Sequence, residues 1–553
     1  MYREVYHQIT ELLRSLTGHE DVELIEGGEH ADLASTLAFT LAREQHRSPT
    51  VIAQELAEKL QKSGDSGGLQ VEAKGPYINF NFGSAYLEGS LKAALKKGYG
   101  AMPSRYERVA LEHTSANPNG PLHVGHIRNS ILGDTLSRVF KKAGYRVESQ
   151  YYVNDIGRQI AIVVWGLSTL GFRPDGEKED HYIARVYIAA NRSIENDPGI
   201  VAEIDRLMQR VERGDKEVVV KFRQAVSVCL DGIRETLTAL HISHNRYVWE
   251  SDFIRNGDVE RVIDRIRKLP QAREEETLWI DLTAENFEKR YILRRSDGTT
   301  VYAARDLAFH IWKGRNFDIM IDILGSDHKL IGGQLSATLR MLGEKSPVIL
   351  HFEFVSLPEG SMSTRAGKFV SADDLITEIT EKAMEEVTKR RGELAENVRR
   401  SIAHSVAIAA IRYNIVKVSP EKSTVFDWRE ALDFERQSGP YIQYAHARAC
   451  SILEKADEFT PTYQLTDPHE VALAKHIALF PAIIEKVVGE LRPHLLAAYA
   501  RDLADLFNSF YRYVPVLRSE GITRDSRLTL VQATQNTLKE ALETLGIDAL
   551  TTM

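Results

Sequence analysis

The stretch from Arg108 to Val153 constrains this chain more than any other. Arg108–Glu112 (RVALE) reads as a short apolar strand, and Ala116–Pro121 (ANPNGP) as the loop after it. A helix follows, with apolar residues at Ile127, Ile131, Leu136, Val139 and Phe140. It stops at Gly144 and gives way to a second strand, Arg146–Val153. Strand, helix, strand is one β-α-β unit, so a parallel sheet with crossover helices is the expected core.

At 553 residues the chain exceeds what one hydrophobic core supports, and about three domains are expected. Residues 1–100 read as an α+β domain. Ala31–Gln45 forms an apolar helical stripe, and Val71–Phe82 alternates as two strands around a Gly-Pro turn. Residues 101–370 carry the α/β pattern, interrupted by a charge-rich helical insertion at about 171–268. The sheet is expected to resume at Tyr291–Leu293 and to include the buried strand Asp318–Leu324. A capping-box pattern at Ser371–Asp374 opens a stem over 371–400. Residues 401–553 are helical throughout, with stripes over Ala407–Val416, Leu473–Leu491 and Leu496–Tyr513. The expected fold is multidomain α/β: a Rossmann-like parallel-sheet catalytic domain between an N-terminal α+β domain and an all-α C-terminal domain.

No apolar run is long enough to span a bilayer, and the N-terminus lacks the apolar core of a secretory signal, so a cytoplasmic protein is expected. Cys229 and Cys450 stand alone, which argues against a disulfide framework or a thiolate zinc site. The net charge of −8 means that a polyanionic partner would have to be met by local basic patches.

His123 and His126 begin the helix after the first strand. Helix N-terminal amides attract phosphate, and two imidazoles on one turn add donors toward it, while Gly125 keeps the surface low. A bare His-x-x-His is equally a surface pair or a metal site. Its setting, strand then Pro/Asn/Gly loop then helix, resembles the signature of class I aminoacyl-tRNA synthetases. The resemblance implies that ATP lies against Asn119, Gly120, Pro121, Leu122, Val124 and Gly125, with His123 and His126 in catalysis. It also implies a second phosphate-contacting loop, matched by Ser361-Met-Ser-Thr-Arg365 and continuing to Lys368. Both usual lysines are replaced here, by Ser361 and Thr364, a form similar to arginyl enzymes. Met362, Ser363 and Thr364 are then expected at ATP, with Arg365 and Lys368 on its phosphates. Gly325, Asp327 and His328, after the Asp318–Leu324 strand, are expected at the ribose.

Selecting arginine takes carboxylates that engage a planar fork of five donors. Glu112 ends the first strand, Asn117 follows in the loop, and Tyr302 and Asp306 share one helix face at a spacing of four. These four positions resemble the arginine-binding set of the arginyl-tRNA synthetases, which often add a glutamine, here Gln334. Asn154–Gly157 resembles that family's turn near the substrate amino group, and Ser438–His446 a segment opening its helical domain. Tyr441, Gln443 and Tyr444 are the expected tRNA contacts, beside Tyr511, Tyr513 and nearby arginines that mix rings with charge. The resemblance thus implies a monomeric ligase that joins L-arginine to tRNA-Arg, using ATP with Mg2+ and no zinc, by attack of the terminal ribose on an arginyl-adenylate. Rival readings are another class I synthetase, a small-molecule nucleotidylyltransferase, and an inactive tRNA-binding relative. The first would want a zinc set or an editing insertion, the second would not need the helical domain, and the third would not keep His123, His126, Glu112 and Asp306.

Overall fold

The computed structural model describes residues 2–27, 31–63, 69–296, 298–356 and 370–553. Met362, Ser363, Thr364, Arg365 and Lys368 lie outside these residues.

The central sheet has five parallel strands, β1 (Arg108–Glu112), β2 (Arg146–Val153), β3 (Arg246–Trp249), β4 (Ile319–Gly325) and β5 (Val348–Phe352), in the order β5-β4-β1-β2-β3. The order reverses between β1 and β4, and the crevice beyond the carboxyl ends of those two strands is where open α/β sheets bind ligands. β1 is apolar because both sheet faces are covered: Val109, Ala110 and Leu111 are fully buried.

The sheet resumes earlier than its apolar pattern suggests. It takes up β3 at Arg246–Trp249, so the stretch expected to be a helical insertion, 171–268, encloses one strand of the main sheet. With only four residues flanked by helices, β3 is too short to stand out by periodicity. Tyr291–Arg294 belongs instead to a separate antiparallel sheet with Leu278–Ile280 and Ala272–Glu274.

The N-terminal residues form an antiparallel four-stranded sheet with helices packed on it. Gln70–Lys74 and Tyr77–Asn81 make the expected hairpin, turning at Gly75 with φ +61. The expected stripe over Ala31–Gln45 is helical only from Leu37, because Leu33–Ser35 is drawn into the sheet as a buried strand. The C-terminal third is helical, and the stripe Leu473–Leu491 is divided at Leu479, ahead of Pro481.

Helix α1 (Val124–Lys142) joins these parts. Its Asp134, Arg138 and Lys142, spaced four apart on one face, hold helices of the C-terminal part. Lys142 pairs with Glu540 at 2.5 Å, and Arg138 donates to the carbonyls of His241 and Glu543. Asp134 receives Arg412 at 2.6 Å, and Arg412, fully buried, also donates to the carbonyls of Leu240 and Leu545. Gly546, at φ +74, must be glycine here, since a Cβ would strike the Arg412 guanidinium.

Candidate active site

The histidine pair caps its own helix. His123 is the N-cap residue of α1, and its Nδ1 accepts from the amides of Gly125 (3.1 Å) and His126 (3.3 Å). In return His126 Nδ1 accepts from the His123 amide at 3.3 Å, a capping box built from two imidazoles. The rings stack with centroids 3.6 Å apart. Because each Nδ1 is an acceptor, each ring carries its proton on Nε2, which makes Nε2–H the donor. Burial lowers both pKa values, that of His126 to about 3 with the His123 charge adding to it, so both rings are neutral near pH 7. The ring of His123 lies over Gly125, where a Cβ would come within 2.9 Å of it. Glycine there serves the histidine stack as well as the low helix surface expected from sequence.

The loop ahead of α1 is strained and heavily tied. Thr114 and Ser115 have φ of +70 and +39, two consecutive non-glycine residues in left-handed conformations, each costing about 1–3 kcal/mol. Thr114 donates its amide to Asn129 Oδ1 at 2.6 Å and its hydroxyl to Ser130 at 2.8 Å, both on α1, while Asn129 donates to the Ile323 carbonyl of β4. The end of β1, the second turn of α1 and β4 are thereby bound together. Leu122 accepts from the Ala372 amide and His123 bridges Ser371, so residues 371–372 lie beside the histidines. Ser371 and Asp374 form the expected capping box of the next helix, Ala372–Arg390.

The arginine candidates converge from separate elements. Helix α2 (Tyr302–Asn316) lays Asp306, His310 and Lys313 along one face toward the sheet. Glu112 and Asp322 are register partners on β1 and β4, and Lys313 Nζ lies 2.6 Å from an oxygen of each. His310 bridges Asp322 at 2.7 Å and Asp306 at 3.0 Å. Burial raises the Glu112 pKa despite Lys313. Burial opposes the charges of Lys313 and His310 too, but Asp322, Glu112 and Asp306 outweigh it, holding Lys313 above its usual value and His310 at about 10. Glu112, His310 and Asp322 have ligand-like spacing, but the ammonium of Lys313 fills the place of a metal ion. Lys178 does the same beside Asp180, His181 and Asp373.

Asp306 stays partly open to solvent, and Tyr302, one turn before it, is 53% exposed at a cavity of about 450 Å3. Asn117 is exposed and accepts from the Asn154 amide at 3.1 Å, which unites the two asparagines of the ANPNGP and NDIG turns. Gln334 is buried, with its amide donating to the Lys289 carbonyl at 2.6 Å; among the described residues no bond ties it to the other four. It braces its helix, since a buried amide must find a partner. Asp327 and His328 are exposed and bonded to each other at 3.1 Å. A Cβ at Gly325 would strike the Asp327 carboxylate, so the close approach at this glycine is that side chain.

Tyr444, Tyr511 and Tyr513 gather with Arg391, Arg448 and Arg512 around a groove of about 810 Å3. Arg448 lies over the rings of Tyr444 and Tyr511, at 4.7 and 5.1 Å. Tyr441 is nearby, but its hydroxyl is held by Asp505 and Asn508. Gln443 does not join them: it is 0% exposed and donates to the Asp548 carbonyl at 2.8 Å. The helix face that carries Tyr444 outward turns Gln443 into the core.

The chain matches three family models: the arginyl tRNA synthetase N terminal domain over residues 4–82, the catalytic domain of tRNA synthetases class I (R) over 91–428, and the DALR anticodon binding domain over 442–553. It is 63% identical to the arginine–tRNA ligase of Methanospirillum hungatei over 100% of both chains, and 64% identical to that of Methanoregula boonei over 99% of both. The arginyl-tRNA synthetase of Thermus thermophilus superposes with a TM-score of 0.87 at 30% identity, covering 100% of each chain. The family models, the full-length identities and the superposition agree, and the chain belongs to the arginyl-tRNA synthetase family, class I.

Proposed function

We propose that this chain activates L-arginine with ATP to give arginyl-adenylate and pyrophosphate, then transfers the arginyl group to the 3′-terminal ribose of tRNA-Arg. The observation that carries this reading is the cluster of Glu112 and Asp322 at the β1/β4 switch point with Asp306 of α2, three carboxylates met by two basic groups, Lys313 and His310. A guanidinium entering between them is held by charge and by its fork of donors, with Tyr302 covering it from the exposed side. A lysine in the same place would leave acceptors unpaired. Asn117 and Asn154 are set to take the α-amino group.

ATP enters as its Mg2+ complex, a substrate. The Nε2–H donors of His123 and His126 meet phosphate oxygens as the arginine carboxylate attacks the α-phosphorus and the bond to pyrophosphate breaks. Neutral imidazoles with fixed tautomers suit this role, because they donate without reorganising. Arg365 and Lys368 complete the phosphate contacts, and Asp327 and His328 the ribose. A tRNA hydroxyl then attacks the acyl carbon and AMP leaves. The groove of Tyr444, Tyr511, Tyr513 and Arg448 takes splayed anticodon bases. No zinc belongs to this reading: burial pushes the Cys229 thiol far from thiolate, against the Gly120 carbonyl. A cytoplasmic monomer completes it. Charging of tRNA with each radiolabelled amino acid in turn tests it. Label from arginine alone is expected; label from another amino acid, or from none, overturns it.

A further inference from the structure

Three consecutive strands of the sheet end at the arginine basin, and the middle one contributes a group that the four expected residues leave out. Glu112 ends β1. Tyr152 lies on β2, two residues past Gln150, the register partner of Glu112, and so on the same sheet face. Glu250 lies two residues past Val248 of β3, the register partner of Tyr152. Tyr152 stands between two acids.

The Tyr152 ring is packed and its hydroxyl is not. The ring stacks on Phe309 of α2 with centroids 4.6 Å apart, and Lys313, the residue that pairs Glu112, lies over the Phe309 ring at 4.2 Å. The Tyr152 amide donates to Ser115 Oγ at 3.0 Å, and that hydroxyl donates to Glu112 Oε1 at 3.2 Å. The phenol oxygen, however, is out of solvent and without a hydrogen-bond partner among the described residues, as is Oε2 of Glu250, whose Oε1 takes Arg305 at 2.7 Å. A buried hydroxyl that lacks a partner is destabilising, so its persistence among the charges of Glu112, Glu250 and Asp306 points to a partner that arrives with substrate. The charges of Glu250, Asp306, Arg305 and Glu112 all act on this phenol, which burial keeps protonated.

We infer that the Tyr152 hydroxyl is a specificity-determining contact for arginine, its oxygen accepting a hydrogen bond from a guanidinium N–H. Tyrosine suits the position because carboxyl groups already stand on either side of it. A neutral acceptor adds direction without another buried anion. The inference rests on the arginine reading of the basin.

The test is Tyr152→Phe in the full-length protein, which keeps the ring and its stacking on Phe309. Hydrogen bonds to a charged group predict that KM for arginine in aminoacylation rises about 10-fold to 100-fold, with kcat and KM for ATP within about twofold. The unliganded variant should melt no lower than the parent, because the lost hydroxyl has no hydrogen-bond partner among the described residues. An unchanged KM for arginine overturns the inference, and so does a lower melting temperature accompanied by a shifted KM for ATP, which would make Tyr152 a packing residue. If the parent protein charges no arginine at all, the arginine reading itself fails, and Tyr152 with it.

Discussion

Glu112 and Asp322 face each other across neighbouring parallel strands, and a single buried ammonium, that of Lys313, touches both at 2.6 Å. Two carboxylates in such register repel unless a cation sits between them. Lys313 is fully buried, so its contribution cannot be replaced by water. Lys313→Met should therefore cost about 3–5 kcal/mol of stability, visible as a lower midpoint in urea. An unchanged midpoint would mean that the two acids do not share their charge with Lys313.

The two histidines can be separated by substitution. His123→Asn retains an N-cap acceptor, so helix α1 should keep its stability while losing one Nε2–H donor. His126→Ala removes a donor and its half of the capping box, and leaves the N-cap acceptor of His123. Each should lower kcat by about 100-fold to 1000-fold, with tRNA affinity in filter binding nearly unchanged. Loss of tRNA binding would place the pair outside the phosphate site.

Stability should fall on both sides of neutrality, for opposite reasons. Burial lowers the His244 pKa to about 4 from 6.5, and burial with His244 lowers that of His113 well below it. Their folded-state pKa values are depressed, so the stability they contribute is present above pH 6.5 and is lost as pH falls from there toward 4. For His244 this amounts to the order of 3 kcal/mol. His310 behaves in reverse. Its pKa is raised to about 10, so its contribution is complete below 6.5 and is lost as pH rises through 10. Urea midpoints measured across this range should trace a dome, and His244→Gln should flatten its acid limb. A dome left intact in that variant would assign the acid loss to other groups.

Arg412 and Asp134 tie the helical domain to the helix that begins with the histidines. Arg412→Leu leaves Asp134 buried with, among the described residues, Arg138 as its remaining ion-pair partner, at 2.7 Å. A loss of about 3–5 kcal/mol is expected. Arginine charging should fall in the same variant, because α1 then loses one of its ties to the helical domain. Charging at the parental rate, measured well below the melting point, would show that the two parts work independently.

Much of this site is readable from sequence because it is local. Strand, loop and helix stand together over Arg108–Lys142, and the spacing of Tyr302 and Asp306 already puts them on one face. What escapes depends on contacts between distant segments. Asp322 is a lone acid in an apolar strand, and His310 and Lys313 continue the face that Asp306 begins, so the pattern is present in the sequence. Only the β1/β4 register reveals that these residues close a network on Glu112. The strain at Thr114 and Ser115 has no sequence mark, since neither is a residue type that favours positive φ. Gln443 is buried for the same reason that Gln334 is bonded away from the other four: proximity in sequence to an exposed tyrosine or a turn does not decide which way a helix faces.

Asp306 is the proposed anionic partner of the substrate guanidinium. Its direct measure is KM for arginine in tRNA charging by Asp306→Asn, which keeps the shape and removes the charge. The prediction is a rise of at least about 100-fold, in line with about 3 kcal/mol or more for an ion pair that has lost one partner, with KM for ATP unchanged. An Asp306→Asn protein that folds normally and keeps the parental KM for arginine would contradict it.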